Sequence, residues 1–205
     1  MPPSHTPSHI LYLHGFRSSP RSVKSQKLAA AIHALQQQGV AVHWCCPQLP
    51  PSPAQTVSEL RELTSGWPDD SVVIGSSLGG FYAALMAQER GWRAAFINPA
   101  VQPARDLARH IGEQTAFHDP QARFFFRPEF IGEFEALNRA IAPYPLEQPE
   151  RHWALIAQGD EVLDWREMVA HHAGVPTKLL PGSDHAVSDF DDHLPDLMAW
   201  LGWST

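Results

Sequence analysis

A chain of 205 residues, 43% of them hydrophobic, can bury a sizeable core but is short for two domains, so one compact domain is expected. A formal charge of -7 leaves no broad electropositive surface to neutralise a phosphate backbone, which argues against nucleic acid as a partner. The two cysteines, Cys45 and Cys46, are adjacent and poorly placed for a disulfide, so a fold without disulfides in a reducing cytoplasm is expected.

In chain order, residues 1–8 read as a flexible Pro/Ser/His tail that lacks the basic start and apolar run of a secretory signal, and residues 9–203 as the folded unit. The first strand is expected at His9–Leu13. Ser22–Gln38 then places Val23, Leu28, Ala31, Ile32 and Leu35 on one helical face, with Pro20 just ahead and Gly39 as a stop. A strand over Val40–Cys45 leads into an extended segment rich in proline (Pro47, Pro50, Pro51, Pro53) and a helix over Ala54–Thr64. A strand at Ser71–Gly75, a helix at Leu78–Arg90 and a strand at Ala94–Asn98 follow. The apolar run from Ser71 to Ala87 is broken by Gly75, Gly79 and Gly80 and falls short of the roughly 20 residues of a membrane span.

Residues 102–150 depart from this rhythm and read as a small helical excursion above the sheet, with Phe124, Phe125 and Phe126 set among several prolines. Two readings stand for it: a helical hairpin whose phenylalanines fill its own core, or a lid that offers apolar surface to a substrate. The chain then resumes with strands at Trp153–Ala157 and Thr177–Leu180 and helices at Trp165–His172 and Asp192–Leu201. Strands alternating with helices imply an α/β fold, a mostly parallel sheet of about six strands with helices on both faces.

The informative segment is Val72-Val73-Ile74-Gly75-Ser76-Ser77-Leu78-Gly79-Gly80, which holds Gly-x-Ser-x-Gly between an apolar strand and a helix. A sharp turn there pushes Ser77 into a strained, exposed position, and the flanking glycines let two backbones pass closely. A serine hydroxyl is a weak nucleophile alone; it needs an imidazole to take its proton and a carboxylate to hold that imidazole. In such an arrangement the acid precedes the histidine, and both follow the serine.

His185, in Gly182-Ser183-Asp184-His185 after the last apolar run, is the expected base. Asp160, on a turn opened by Gly159 after a buried strand, is the expected acid, while Asp164 suits the cap of the next helix. Asp184 and Asp189 flank the histidine too closely to reach its far nitrogen and read as solvated loop residues. For the oxyanion the expected donors are the backbone N–H groups of Leu78 and of Phe16, in His14-Gly15-Phe16 at the end of the first strand. His14 reads as a hydrogen-bonded support, and Trp165, just beyond the acid turn, is a possible substrate contact. The histidines show no zinc-ligand spacing, so no metal is expected.

These residues together resemble the small bacterial YqiA-type esterases of the α/β-hydrolase superfamily. The resemblance runs through Leu11-Tyr12-Leu13-His14-Gly15-Phe16, Ser18-Ser19-Pro20, Pro47-Gln48-Leu49-Pro50, Gly75-Ser76-Ser77-Leu78-Gly79-Gly80, Asn98-Pro99-Ala100-Val101, Gly159-Asp160-Glu161-Val162-Leu163-Asp164 and Asp184-His185-Ala186. It implies cofactor-free hydrolysis of carboxylic esters or acyl thioesters, with Ser77, Asp160 and His185 as the triad and a small-molecule ester or thioester as partner. The tail before His9 and the phenylalanine-rich stretch after His118 depart from the family pattern. Two other functions remain open: a non-catalytic binding protein that keeps the fold, and a triad hydrolase acting on an amide or lactone.

Overall fold

The computed structural model describes residues 6–141 and 148–203, so residues 1–5 of the expected tail and 142–147 of the excursion lie outside the described residues. In chain order it places β1 at His9–Leu13, α1 at Val23–Gln37, β2 at His43–Cys45, α2 at Pro53–Leu63, β3 at Val72–Ser76, α3 at Leu78–Arg90 and β4 at Arg93–Ile97. The excursion carries α4 at Pro103–Leu107, β5 at Gly112–Ala116, β6 at Asp119–Phe126 and α5 at Glu129–Ile141. After it come β7 at Trp153–Ala157, α6 at Trp165–His171, β8 at Thr177–Leu180 and α7 at Leu194–Leu201.

Six strands form one parallel sheet in the order β2-β1-β3-β4-β7-β8. Alternation along each strand divides the core between its faces. Leu11 and Leu13 of β1 join Val73, Phe96 and Ile156 beneath α2, α3, α5 and α6, whereas Ile10 and Tyr12 join Val72, Ile74 and Leu155 beneath α1 and α7. Helix α3 is buried from Leu78 to Ala87, as its near-continuous apolar sequence requires. Among the described residues no helix is long and apolar enough to cross a membrane.

Two expectations need correction. Only His43–Cys45 of the expected Val40–Cys45 strand pairs with β1, because the preceding residues serve the end of α1. Val40 N–H donates to the Leu35 carbonyl at 3.1 Å, and the Gln36 side chain donates to the Val42 carbonyl at 2.7 Å. The excursion, expected to be helical, also contains an antiparallel hairpin of β5 and β6. Its phenylalanines alternate with the strand: Phe126 is buried, Phe124 is partly buried and Phe125 is 58% exposed. The first two therefore face inward, where each forms an edge-to-face pair with Phe16, ring centroids 5.2 and 5.9 Å apart.

Strand order reverses beside β1, since the chain passes from β1 to β2 on one side and returns to β3 on the other. Parallel sheets bind ligands outside the strand C-termini at such a switch point. There α3 lies backbone to backbone on the sheet: a Cβ on Gly79 would stand 1.9 Å from the Leu13 carbonyl oxygen, and one on Gly75 2.2 Å from that of Gly79. Gly132 in α5 has nothing within 4 Å of an added Cβ. Gly79→Ala should thus lower unfolding free energy in chemical denaturation by ~3 kcal/mol or more, and Gly132→Ala should raise it by about 0.5–1 kcal/mol through helix propensity.

At the far end of α6, His172 is 3% exposed and its ring centroid lies 4.5 Å from that of Phe96. Burial pulls its imidazole down to about 4, and does the same for His171. Between that value and the ordinary one the unfolded chain binds more protons, so stability rises with pH there and is lost on acidification. The melting temperature should fall as pH drops from about 6.5 towards 4, each histidine contributing at most ~1.4 kcal/mol per pH unit; His172→Leu should flatten that slope.

Candidate active site

Ser77 stands between β3 and α3 with φ 56° and ψ -123°, a backbone conformation that non-glycine residues rarely adopt. Its neighbours over-determine it: Ser77 N–H donates to the Ile97 carbonyl at 3.0 Å, and its own carbonyl accepts from Gly80 and Ala100 at 2.8 and 2.9 Å. The loop after β1 passes directly over it, with a Cβ on Gly15 coming within 3.1 Å of the Ser77 Cβ.

His185 Nε2 lies 3.0 Å from Ser77 Oγ, and His185 Nδ1 lies 2.7 Å from Asp160 Oδ2. The Asp160 carboxylate is wholly shielded from solvent, and the imidazole is 20% exposed. The other carboxylate oxygen, Oδ1, accepts from the amides of Val162 and Leu163, both at 2.8 Å. The turn that Gly159 opens packs on the histidine loop, since a Cβ there would stand 2.6 Å from the Ser183 carbonyl oxygen. A carboxylate fixed at both oxygens holds imidazole with Nδ1 protonated, leaving Nε2 to accept from the hydroxyl.

Phe16 and Leu78 line one cavity with Ser77 and His185. Leu78 opens α3, so its amide has no carbonyl a turn behind it within the helix. His14 is 3% exposed and acts as a strut between loops. Its Nε2 accepts from Leu49 N–H at 3.1 Å while Nδ1 donates to the Gly15 carbonyl at 2.9 Å, and burial holds the ring below its ordinary pKa. Asp164 caps α6 by accepting from Arg166 N–H at 2.9 Å. Asp184 accepts from the Ser188 amide at 2.8 Å and stays in its own loop. Asp189 is more engaged than a solvated residue, accepting from Ser183 Oγ and from His193 Nε2 at 3.1 Å. Trp165, the first residue of α6, packs on the core and lines none of the cavities around Ser77.

The loop that carries His185 has little regular structure and is held by side chains that sequence reasoning did not single out. Asn98, fully buried with φ 42°, donates through Nδ2 to the carbonyls of Asp184 at 3.1 Å and His185 at 3.0 Å. Its Oδ1 accepts from Ala157 N–H at 2.7 Å, at the end of β7 just before the acid turn. Glu161 accepts from His185 N–H at 3.0 Å, and Lys24 Nζ donates to the Ala186 carbonyl. An asparagine at the end of an apolar strand was the available signal; it is the buried amide that joins the acid and base loops.

Asn98→Ala would leave the buried Ala157 amide and two part-buried carbonyls without this partner, so unfolding free energy should fall by ~2–4 kcal/mol. In the folded fraction the His185 imidazole resonances should broaden, a change that NMR of the ring protons reads directly.

A family model described as an uncharacterised protein family, UPF0227, matches residues 9–202. Similar solved structures include a metagenome-derived lipolytic enzyme of the LipS and LipT pair, 15% identical with TM-score 0.69, covering 97% of this chain and 95% of that one. Mouse α/β hydrolase domain-containing protein 10 is 18% identical with TM-score 0.65 over 94% and 90% of the two chains. A monoacylglycerol lipase of Paleococcus ferrophilus is 14% identical with TM-score 0.64 over 96% and 95%. At such identities the likeness is one of fold, that of the α/β hydrolases, and the match along nearly the whole chain makes this protein a member of the UPF0227, YqiA-like family.

Proposed function

We propose that the protein is a serine hydrolase that cleaves carboxylic esters, and by the same attack acyl thioesters, through an acyl-enzyme on Ser77. The observation that carries this is the unbroken relay from Asp160 Oδ2 through both nitrogens of His185 to Ser77 Oγ. Esterases and lipases among the structural neighbours accord with it. Ser77 Oγ attacks the acyl carbonyl while His185 Nε2 takes its proton, and Asp160 stabilises the imidazolium that forms. The carbonyl oxygen, now negative, receives the N–H groups of Leu78 and Phe16. His185 returns the proton to the departing alcohol or thiol, and water attacks the acyl-enzyme by the same steps to release the acid.

In this proposal the 102–150 excursion is the lid of a single domain spanning 9–203, and its Phe124 edge helps shape the cavity beside Leu78. The free thiols of Cys45 and Cys46 suit a cytoplasmic setting. Wild-type protein should hydrolyse p-nitrophenyl butyrate and take up a fluorophosphonate probe on Ser77. Ser77→Ala should lose both, and Asp160→Asn should lower kcat by about 10⁴-fold with KM little changed. Retention of wild-type turnover by Ser77→Ala, with contaminating esterases excluded, would refute the mechanism.

A further inference from the structure

The charged side chains that line the cavities beside Ser77 are mostly opposite in sign to the net charge of the molecule. The sequence has 22 acidic against 15 basic residues. The charged side chains lining the three cavities that meet at Phe16 are nonetheless Arg17, Lys24, Arg109 and Arg123, against Asp106 alone. Arg123 is paired with Glu113 at 2.9 Å, and Asp106 with Arg105 at 2.8 Å. Arg17 and Arg109 have no carboxylate partner among the described residues.

Both arginines line the cavity of about 240 Å³ that also holds Ser77 and His185, where Leu107, Val162 and Leu163 supply apolar wall. His110 lies there too, its imidazole held below the ordinary value by burial and then by the charges of Arg109 and Arg17, so the three groups share one neighbourhood. Glu161, beside Asp160 in sequence, accepts from His185 N–H at 3.0 Å and does not line this cavity.

Arg17 is held ready. Its backbone is left-handed at φ 60°, its carbonyl accepts from Phe117 N–H at 2.8 Å and its Nε donates to the Thr115 carbonyl at 2.7 Å. The guanidinium carbon sits 4.3 Å from the centre of the Phe117 ring. Arg109 places its Nε 3.3 Å from His110 Nε2. The terminal nitrogens of both guanidinium groups have no hydrogen-bond partner among the described residues. A planar fork of this kind matches the oxygens of a carboxylate or phosphate, and an apolar wall strengthens the attraction.

We propose that Arg17 and Arg109 form an anion subsite, and that the substrate of Ser77 is an ester bearing a carboxylate or phosphate a few atoms from the scissile carbonyl. The reaction rests on the hydrolase proposal above; the binding does not. The charge can belong to the acyl part or to the leaving group, and paired substrates distinguish these. The acyl arm compares p-nitrophenyl hydrogen succinate with its methyl-capped ester. The leaving-group arm compares S-butyryl 3-mercaptopropionate with S-butyryl 3-mercaptopropionamide.

In at least one arm the charged member should have a kcat/KM about tenfold or more above its neutral partner, the worth of one charge-assisted hydrogen bond. The ratio should shrink in about 0.5 M salt and approach one in Arg17→Gln and in Arg109→Gln. Impaired folding lowers both members of a pair and leaves their ratio intact. No preference in either arm, or one that survives both substitutions, overturns the proposal. If neither member of any pair is hydrolysed, the hydrolase proposal fails, and calorimetric binding of the same pairs to Ser77→Ala reads the subsite alone. Tighter binding of the charged member by the same factor supports the subsite there, and equal affinities overturn it.

Discussion

The approach of α3 to the ends of β1 and β3 is the constraint from which the site follows. Three backbones cross where any Cβ on Gly75 or Gly79 would overlap a main-chain oxygen, so the helix can begin only directly after the strand. That leaves Ser77 no room to turn gradually, and it takes the φ of 56° that lifts its hydroxyl out of the sheet. The same crossing brings Gly15 over Ser77 and sets Phe16 and Leu78 along one cavity. Geometry at the nucleophile is therefore a consequence of packing between strands rather than of the serine's own preferences.

The base is held differently. No regular element carries His185, and the loop from Asp184 to Ala186 is fixed through its peptide groups by Asn98, Glu161 and Lys24. Asn98 matters most, because it bonds at once to the histidine loop and to the end of β7, where the acid turn begins. Asp160 and His185 are thus referred to a common buried amide, which fixes their separation even though they lie on different connections. An imidazole placed in this way needs little reorganisation when it takes a proton, a condition on which efficient proton transfer depends.

The six strands of the sheet, the elbow and the three polar residues of the relay were legible because each has a local signature. Apolar runs alternate with helical stripes, glycines flank Ser77, and Asp160 and His185 follow apolar strands in the order acid then base. The hairpin of β5 and β6 was not legible. Its sequence, Gly112–Phe126, mixes charged and apolar residues, and its inward phenylalanines pack on Phe16, about a hundred residues away in sequence. Val40–Val42 misled for the opposite reason: they have strand-forming side chains, while their backbone groups are taken by the end of α1. The role of Asn98 could not be read either, since an asparagine after an apolar strand usually marks a turn, and only the folded chain brings Asp184 and Ala157 to its amide.

Backbone strain is concentrated where the site is. Among the described residues, those other than glycine with positive φ are Arg17, Ser77, Asn98, Gln148 and Val187, and all but Gln148 lie on loops around the nucleophile or the base. Each such conformation costs on the order of 1–3 kcal/mol and persists only where surrounding contacts exceed that cost. Those contacts are visible: Arg17 is tied to the hairpin, Ser77 to β4 and Ala100, and Asn98 to the loops of acid and base. Val187, 1% exposed, is buried against the face that α1 and α7 cover. A β-branched residue at φ 50° is costly, yet it turns the chain two residues after His185, and its own side chain anchors the histidine loop in the core. The stability of the two cores is in this sense what holds the relay in place, and the loops above the sheet are free to differ in sequence only where they bear neither a strained residue nor a contact to one.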